Sequence, residues 1–214
     1  METTQNSPAA SPATPLRAVA LVCSLTPSPG RSSSQLLAEQ TMEALGEHGV
    51  SGEVIRVVDH DVKPGVRADM GDGDAWPEIR RTILASDILV ISTPIWVGHP
   101  SSVAQRVLER LDAELSETDD EGRLLTYGKV AAVCVVGNED GAHKVGADLF
   151  QGLNDVGFSL APGAVTYWVG EAMQGTDYQD LDKTPEETAG TTATLAANTA
   201  HLARCLKAAG YPPS

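Results

Sequence analysis

The 214-residue chain has the length of one domain with a full core, and its 42 % hydrophobic content suits a globular protein. A formal charge of −14, with acidic clusters at 112–121 and 171–187, argues against nucleic acid and anionic membrane as partners, because both need Lys and Arg to displace counterions. No apolar run is long enough to cross a bilayer.

Residues 1–16 are rich in Thr, Ser, Pro and Ala, with neither a basic start nor an apolar stretch. They are expected to form a disordered tail rather than a signal peptide, which makes the cytoplasm the default location. One domain is expected over 17–210, with 211–214 as a C-terminal tail. Five short β-like runs follow in chain order: Ala18–Cys23, Glu53–Val58, Asp87–Ser92, Lys129–Val136 and Ala164–Val169. Helical spacing separates them, carried by Leu36, Leu37, Met42 and Leu45, then by Ile79, Ile83 and Leu84. Val103, Val107, Leu108, Leu111 and Leu115 mark a third helix, and Val145, Leu149, Leu153 and Val156 a fourth. A last helix is expected from Pro185 to Ala209, with proline in its first turn and Gly210 and Pro212 beyond its end.

The runs at Ala18, Asp87 and Lys129 are almost continuously apolar, as strands covered on both faces are, whereas Glu53–Val58 is mixed like an edge strand. Strict alternation of strand and helix predicts an α/β fold: a doubly wound, five-stranded parallel sheet with helices on both faces. The three cysteines, Cys23, Cys134 and Cys205, have no paired spacing and read as small buried hydrophobes, so neither disulfide nor metal site is expected. The Gly- and Asp-rich stretch 59–75 reads as a flap near the site.

In such a sheet, ligands bind beyond the carboxyl ends of the strands, where strand order reverses. Three loops leave such ends. The first, Ser24-Leu-Thr-Pro-Ser-Pro-Gly-Arg-Ser-Ser-Ser34, is dense in hydroxyls and opens a helix. Unpaired helix-end N–H groups, the helix dipole and those hydroxyls suit a phosphate monoester, although a serine-capped turn has the same appearance. The second, Thr93-Pro-Ile-Trp-Val-Gly-His-Pro-Ser-Ser102, is stiffened by prolines and carries Trp96 at its tip or folded onto the core, with Ser101 or Ser102 capping the next helix. The third, Gly137-Asn-Glu-Asp-Gly-Ala-His143, offers backbone N–H groups and side chains that read an amide or imide edge, or else forms an acidic turn capped by Asp140. Together they describe a site for a mononucleotide with a large flat base, and the Gly-x-Gly-x-x-Gly pattern of dinucleotide sites is missing after the first strand.

These three loops resemble those of the flavodoxin-like NAD(P)H-dependent FMN reductases, over roughly Arg17 to Gly170. The resemblance implies a flavodoxin-like sheet of order 2-1-3-4-5 and FMN as cofactor. It puts Ser24, Thr26, Ser32, Ser33 and Ser34 at the FMN phosphate. Pro94, Ile95, Trp96, Val97 and Gly98 would lie along the ring and ribityl chain, and Asn138, Glu139, Asp140 and Gly141 would border the ring, with His143 nearby. It further implies hydride transfer from NAD(P)H through the flavin to a small acceptor such as a quinone or free flavin, with no catalytic side chain, in a homodimer or homotetramer. An electron carrier of flavodoxin type and an FMN-binding regulatory protein without turnover are the alternatives. No compact cysteine motif for an iron–sulfur cluster is present.

Overall fold

The computed structural model describes residues 15–172 and 174–213. The expected N-terminal tail therefore lies outside the described residues up to position 14, but Leu16 is fully buried and opens the first strand. The elements run β1 (Leu16–Val22), α1 (Ser33–Glu47), β2 (Val50–Arg56), α2 (Trp76–Leu84), β3 (Ile88–Trp96), β4 (His99–Pro100) and α3 (Ser102–Leu111). They continue through β5 (Val130–Gly137), α4 (Ala142–Asp155), β6 (Ser159–Val169) and α5 (Glu186–Ala208). Short 3₁₀ turns lie at Val57–Asp59, Asp112–Ser116 and Tyr178–Asp180.

Five parallel strands pair in the order β2-β1-β3-β5-β6, which is the expected 2-1-3-4-5 once the two-residue β4 is set aside. Alternation along the central strands feeds two cores. Val19, Leu21 and Cys23 of the first strand region join Leu89, Ile91, Val133 and Val135 beneath α2, α3 and α4. Ala18, Ala20 and Val22 join Val90, Ala132 and Cys134 beneath α1 and α5. The sheet is thus buried on both faces, as its apolar runs require.

Three elements depart from expectation. β3 runs on through Trp96 and turns back as β4, because Val97 and Gly98 both adopt positive φ, the geometry a two-residue hairpin turn demands. β6 begins at Ser159, and a register shift opposite Ala131–Val133 lets Pro162 and Gly163 bulge out without ending the strand. α3 stops at Leu111, leaving Leu115 in a 3₁₀ turn and exposed.

The stretch 59–75, expected as a flap near the site, meets the β1–α1 loop through Asp59 but does not line the cleft. Arg110, fully buried, ties it to α3 by donating to the carbonyls of Lys63 and Arg67 and to both oxygens of the Asp74 carboxylate. Cys23 and Cys134 are buried as expected, but Cys205 lies on the exposed side of α5. Tyr211 is docked: its carbonyl accepts from Arg123, and its ring packs 5.3 Å from that of Tyr127. Among the described residues, no helix is long and apolar enough to cross a membrane.

Candidate functional site

A cleft of about 540 Å³ opens at the carboxyl ends of β1, β3 and β5, where strand order reverses. One end is the β1–α1 loop. Ser32 has extended backbone and caps α1, its Oγ accepting from the Gln35 N–H at 3.3 Å. No acidic residue lies in the first turn of α1, so the positive end of the helix faces the cleft uncompensated from within the helix. Ser24 Oγ accepts from the Thr26 N–H at 3.0 Å, which curls the loop around the helix end. Two residues that sequence reasoning passed over hold the loop from outside. Arg56 donates to the Gly30 carbonyl at 2.7 Å, and Asp59 accepts from the N–H and hydroxyl of Ser28. The hydroxyl bond and then the backbone bond from Ser28 hold the Asp59 carboxyl below its ordinary range.

The other end is walled by the β3–β4 hairpin and the β5–α4 loop. Trp96 does not fold onto the core: it is 54 % exposed at the cleft rim, with Val97 beside it at 86 %. Ser101 caps α3, accepting from the Ala104 N–H, and its hydroxyl donates to the Cys23 carbonyl at 2.6 Å, fastening the hairpin to the end of the first strand. Glu139 reaches from the β5–α4 loop to accept the Val97 N–H at 2.6 Å.

A third wall comes from the acidic segment that follows β6. Asn138 Nδ2 donates to Asp177 at 2.9 Å, and Tyr178 is buried with its hydroxyl donating to Gln40 at 2.6 Å. The Gln179 N–H donates to Ser33 Oγ at 3.3 Å, and Arg31 donates to Asp180 and to the Gln179 carbonyl. This segment therefore straps the β5–α4 loop to the start of α1.

Of the expected site residues, the cleft gathers Ser24, Thr26, Ser32, Ser33, Ser34, Pro94, Ile95, Trp96, Val97, Asn138 and Glu139. Gly98, Asp140, Gly141 and His143 do not line it. Gly98 and Gly141 meet behind the wall, where a Cβ on Gly141, at φ 130°, would stand 3.1 Å from the Gly98 Cα. Asp140 turns outward to accept the Gly141 N–H at 2.7 Å, so it caps nothing. His143 lies a step into α4 and meets the Tyr167 hydroxyl at 3.0 Å. The lining residues missed from sequence are Leu25, Arg31, Val136, Gly137, Trp168, Asp177, Tyr178 and Gln179. An aromatic pair, Trp168 near the end of β6 and Tyr178 in the acidic stretch beyond it, was the available signal; their rings lie 5.5 Å apart.

Five buried side-chain polar atoms among the described residues have no hydrogen-bond partner, and two of them, Asn138 Oδ1 and Gln179 Oε1, belong to this cleft. Both are acceptors, and buried polar atoms are rarely left unpaired without a reason. With the hydroxyl cradle at one end and the apolar side chains of Ile95, Trp96, Val97 and Trp168 at the other, the lining fits a flat ring carrying an anionic tail. A separate hollow of about 450 Å³ beside the edge strand β2 gathers none of the expected residues.

The chain is 34 % identical over 206 residues to the 8-demethyl-8-aminoriboflavin-5'-phosphate synthase of Streptomyces davaonensis, covering 92 % of this chain and 80 % of that protein. It is 36 % identical over 217 residues to a Mycobacterium bovis protein named divalent metal cation transporter MntH, covering 97 % of this chain but only 32 % of that protein, so it spans about a third of that relative. A solved structure of RosB with bound 8-demethyl-8-formylriboflavin-5'-phosphate superposes with a TM-score of 0.83 at 34 % identity, covering 92 % of this chain and 82 % of that one. The fold is flavodoxin-like. The family model for NADPH-dependent FMN reductase matches residues 16–174, and with the Streptomyces relative this establishes that the chain belongs to the NADPH-dependent FMN reductase family.

Proposed function

We propose that this chain is an FMN-dependent oxidoreductase that uses NAD(P)H to reduce a small acceptor. The observation that carries the proposal is the convergence, in one cleft, of a hydroxyl-lined helix N-terminus and a slot walled by Trp96 and Trp168. Ser24, Ser32 and Ser33, with the N–H groups of the first turn of α1, would bind the phosphate. Trp96 and Ile95 would bear on the ring, with the Asn138 and Gln179 side chains beside it in the cleft wall. Bound FMN would supply the redox chemistry between a reduced nicotinamide and the acceptor.

The residues of the chain orient and shield rather than react. The Glu139–Val97 bond fixes the hairpin rim, and Tyr178 and Trp168 close the strap side against water. Glu139 also puts a negative charge at the ring end, which disfavours added negative charge on a bound ring. Exposed Leu25, Trp96 and Val97 at the mouth form an apolar rim, and a second copy covering it in a homodimer or homotetramer belongs to the same proposal, as does a cytoplasmic location.

The test is an absorbance spectrum with FMN added, followed by anaerobic titration with NADPH and then NADH. A bound-flavin spectrum that bleaches with either nucleotide supports a reductase and names its donor. Bound flavin that neither nucleotide reduces favours the carrier or regulatory alternatives, and no binding overturns the proposal. A second reading takes the flavin phosphate as the molecule acted on, and the match to the Streptomyces synthase and to RosB favours it. A changed mass of the flavin recovered after incubation separates the two readings.

A further inference from the structure

We propose that Asp180 is a stand-in for the ligand phosphate: it occupies Arg31, and a bound phosphate takes Arg31 from it. The inference rests on the flavin-phosphate reading of the cleft. Arg31 is the one cation among the described residues that line the cleft, and it sits in the loop that opens α1. Its Nη1 lies 2.6 Å from Asp180 Oδ1, and its Nη2 donates to the Gln179 carbonyl at 2.5 Å. The one cation lining the cleft is therefore already engaged by the strap.

The exchange has a definite sign. The side chains of Arg31 and Asp180 are 68 % and 42 % exposed, so their pair is hydrated and is worth a factor of about five at most. A guanidinium donating to a phosphate makes charge-assisted bonds worth roughly tenfold or more. The first turn of α1 holds no carboxylate, so Asp180 is the acidic group that meets Arg31 at this end, whereas Glu139 and Asp177 are engaged with Val97 and Asn138 at the other. A phosphate wins Arg31, but pays part of its gain to displace Asp180. Affinity for the phosphorylated flavin is thereby held down relative to an arginine standing free, which suits a flavin that enters and leaves. Riboflavin, without the phosphate, has no part in the exchange.

The experiment titrates FMN and riboflavin separately, by flavin fluorescence, into the wild type, D180N, R31Q and the R31Q/D180N double variant. The exchange requires FMN to bind D180N about two- to five-fold more tightly than wild type, with riboflavin affinity unmoved. It requires R31Q to bind FMN roughly tenfold or more weakly, and D180N to bring no gain on the R31Q background. An equal gain on that background means simple repulsion by Asp180 and overturns the exchange. FMN affinity unchanged or weakened in D180N makes the pair a structural tether and likewise overturns it. Wild type that binds no FMN overturns the cleft reading itself, a result distinct from either. Matching far-ultraviolet circular dichroism of the four proteins ties each change to the site, since both side chains are on the surface.

Discussion

Glu139 Oε1 lies 2.6 Å from the backbone N of Val97, so a carboxylate from the β5–α4 loop grips the tip of the β3–β4 hairpin. Val97 is the one non-glycine residue with positive φ among the described residues, at 54°, a conformation costly for a β-branched side chain. The bond to Glu139 thus holds a strained turn at the hairpin end of the cleft. Substituting Val97 by Gly should relieve the strain and stabilise the protein by up to about 1 kcal/mol in urea unfolding, since the steric cost of the left-handed region exceeds the added chain entropy of glycine.

Glu139→Gln should keep a hydrogen-bond acceptor for Val97 while removing the charge. The midpoint potential of bound FMN is expected to rise by on the order of 20–40 mV, the effect of one charge at the edge of a hydrated cleft. Spectroelectrochemistry of wild type and variant reads this directly, and an unmoved or lowered potential would count against Glu139 acting on the ring.

Ser33→Ala should weaken FMN binding by about tenfold, the loss of a hydrogen bond to a charged acceptor, and leave riboflavin almost untouched. Ser32→Ala is expected to combine that loss with about 1 kcal/mol of stability, because Ser32 Oγ also caps α1. Trp96→Ala, in contrast, should weaken FMN and riboflavin alike. Fluorescence titrations with the two flavins, alongside thermal unfolding, separate the three patterns.

The Asp74–Arg110 pair is fully buried, and Arg110 also stacks 5.5 Å from the Trp76 ring centre. Burial alone would raise the Asp74 carboxyl, but the bonds from Arg110 and from the N–H groups of Met70, Trp76 and Lys63 outweigh it and hold the carboxyl well below its ordinary range. A depressed carboxyl contributes stability that is complete above the ordinary aspartate range, near ~4, and drains as pH falls below it. Asp74→Asn should cost about 3–5 kcal/mol at neutral pH by leaving Arg110 buried without its counter-charge. Denaturant unfolding from pH 7 to pH 3 should show a shallower acid-side loss in the variant than in the wild type.

Thiol accessibility gives a further check. Burial pushes the Cys134 thiol up to about 12, and burial also pushes Cys23 upward, so neither forms thiolate at neutral pH. Cys205 is exposed. Native protein should therefore consume one equivalent of a thiol reagent per chain, Cys205→Ser should consume none, and all three should react on unfolding.

By itself the sequence determined a doubly wound parallel sheet and the three loops at its carboxyl edge, while the strand order came from the family resemblance. Apolar runs such as Ala18–Cys23 need cover on both faces, and alternating helices with right-handed crossovers leave few ways to supply it. Hydroxyls before a helix were legible because their chemistry is local, whereas the choice between Trp96 at the loop tip and Trp96 on the core fell to the structure. What only the tertiary structure decided was the third wall of the cleft. Asp177, Tyr178 and Gln179 lie some 145 residues along the chain from Ser33, and no periodicity announces that the segment after β6 returns to the start of α1. Contacts of that separation depend on how the packed layers meet. The same holds for Gly98 and Gly141, which looked like ligand-facing glycines in sequence but spend their missing side chains on letting two loops touch. The departure of β3 into a hairpin, and the pairing of Arg31 with Asp180, likewise arise from neighbours the local pattern does not contain.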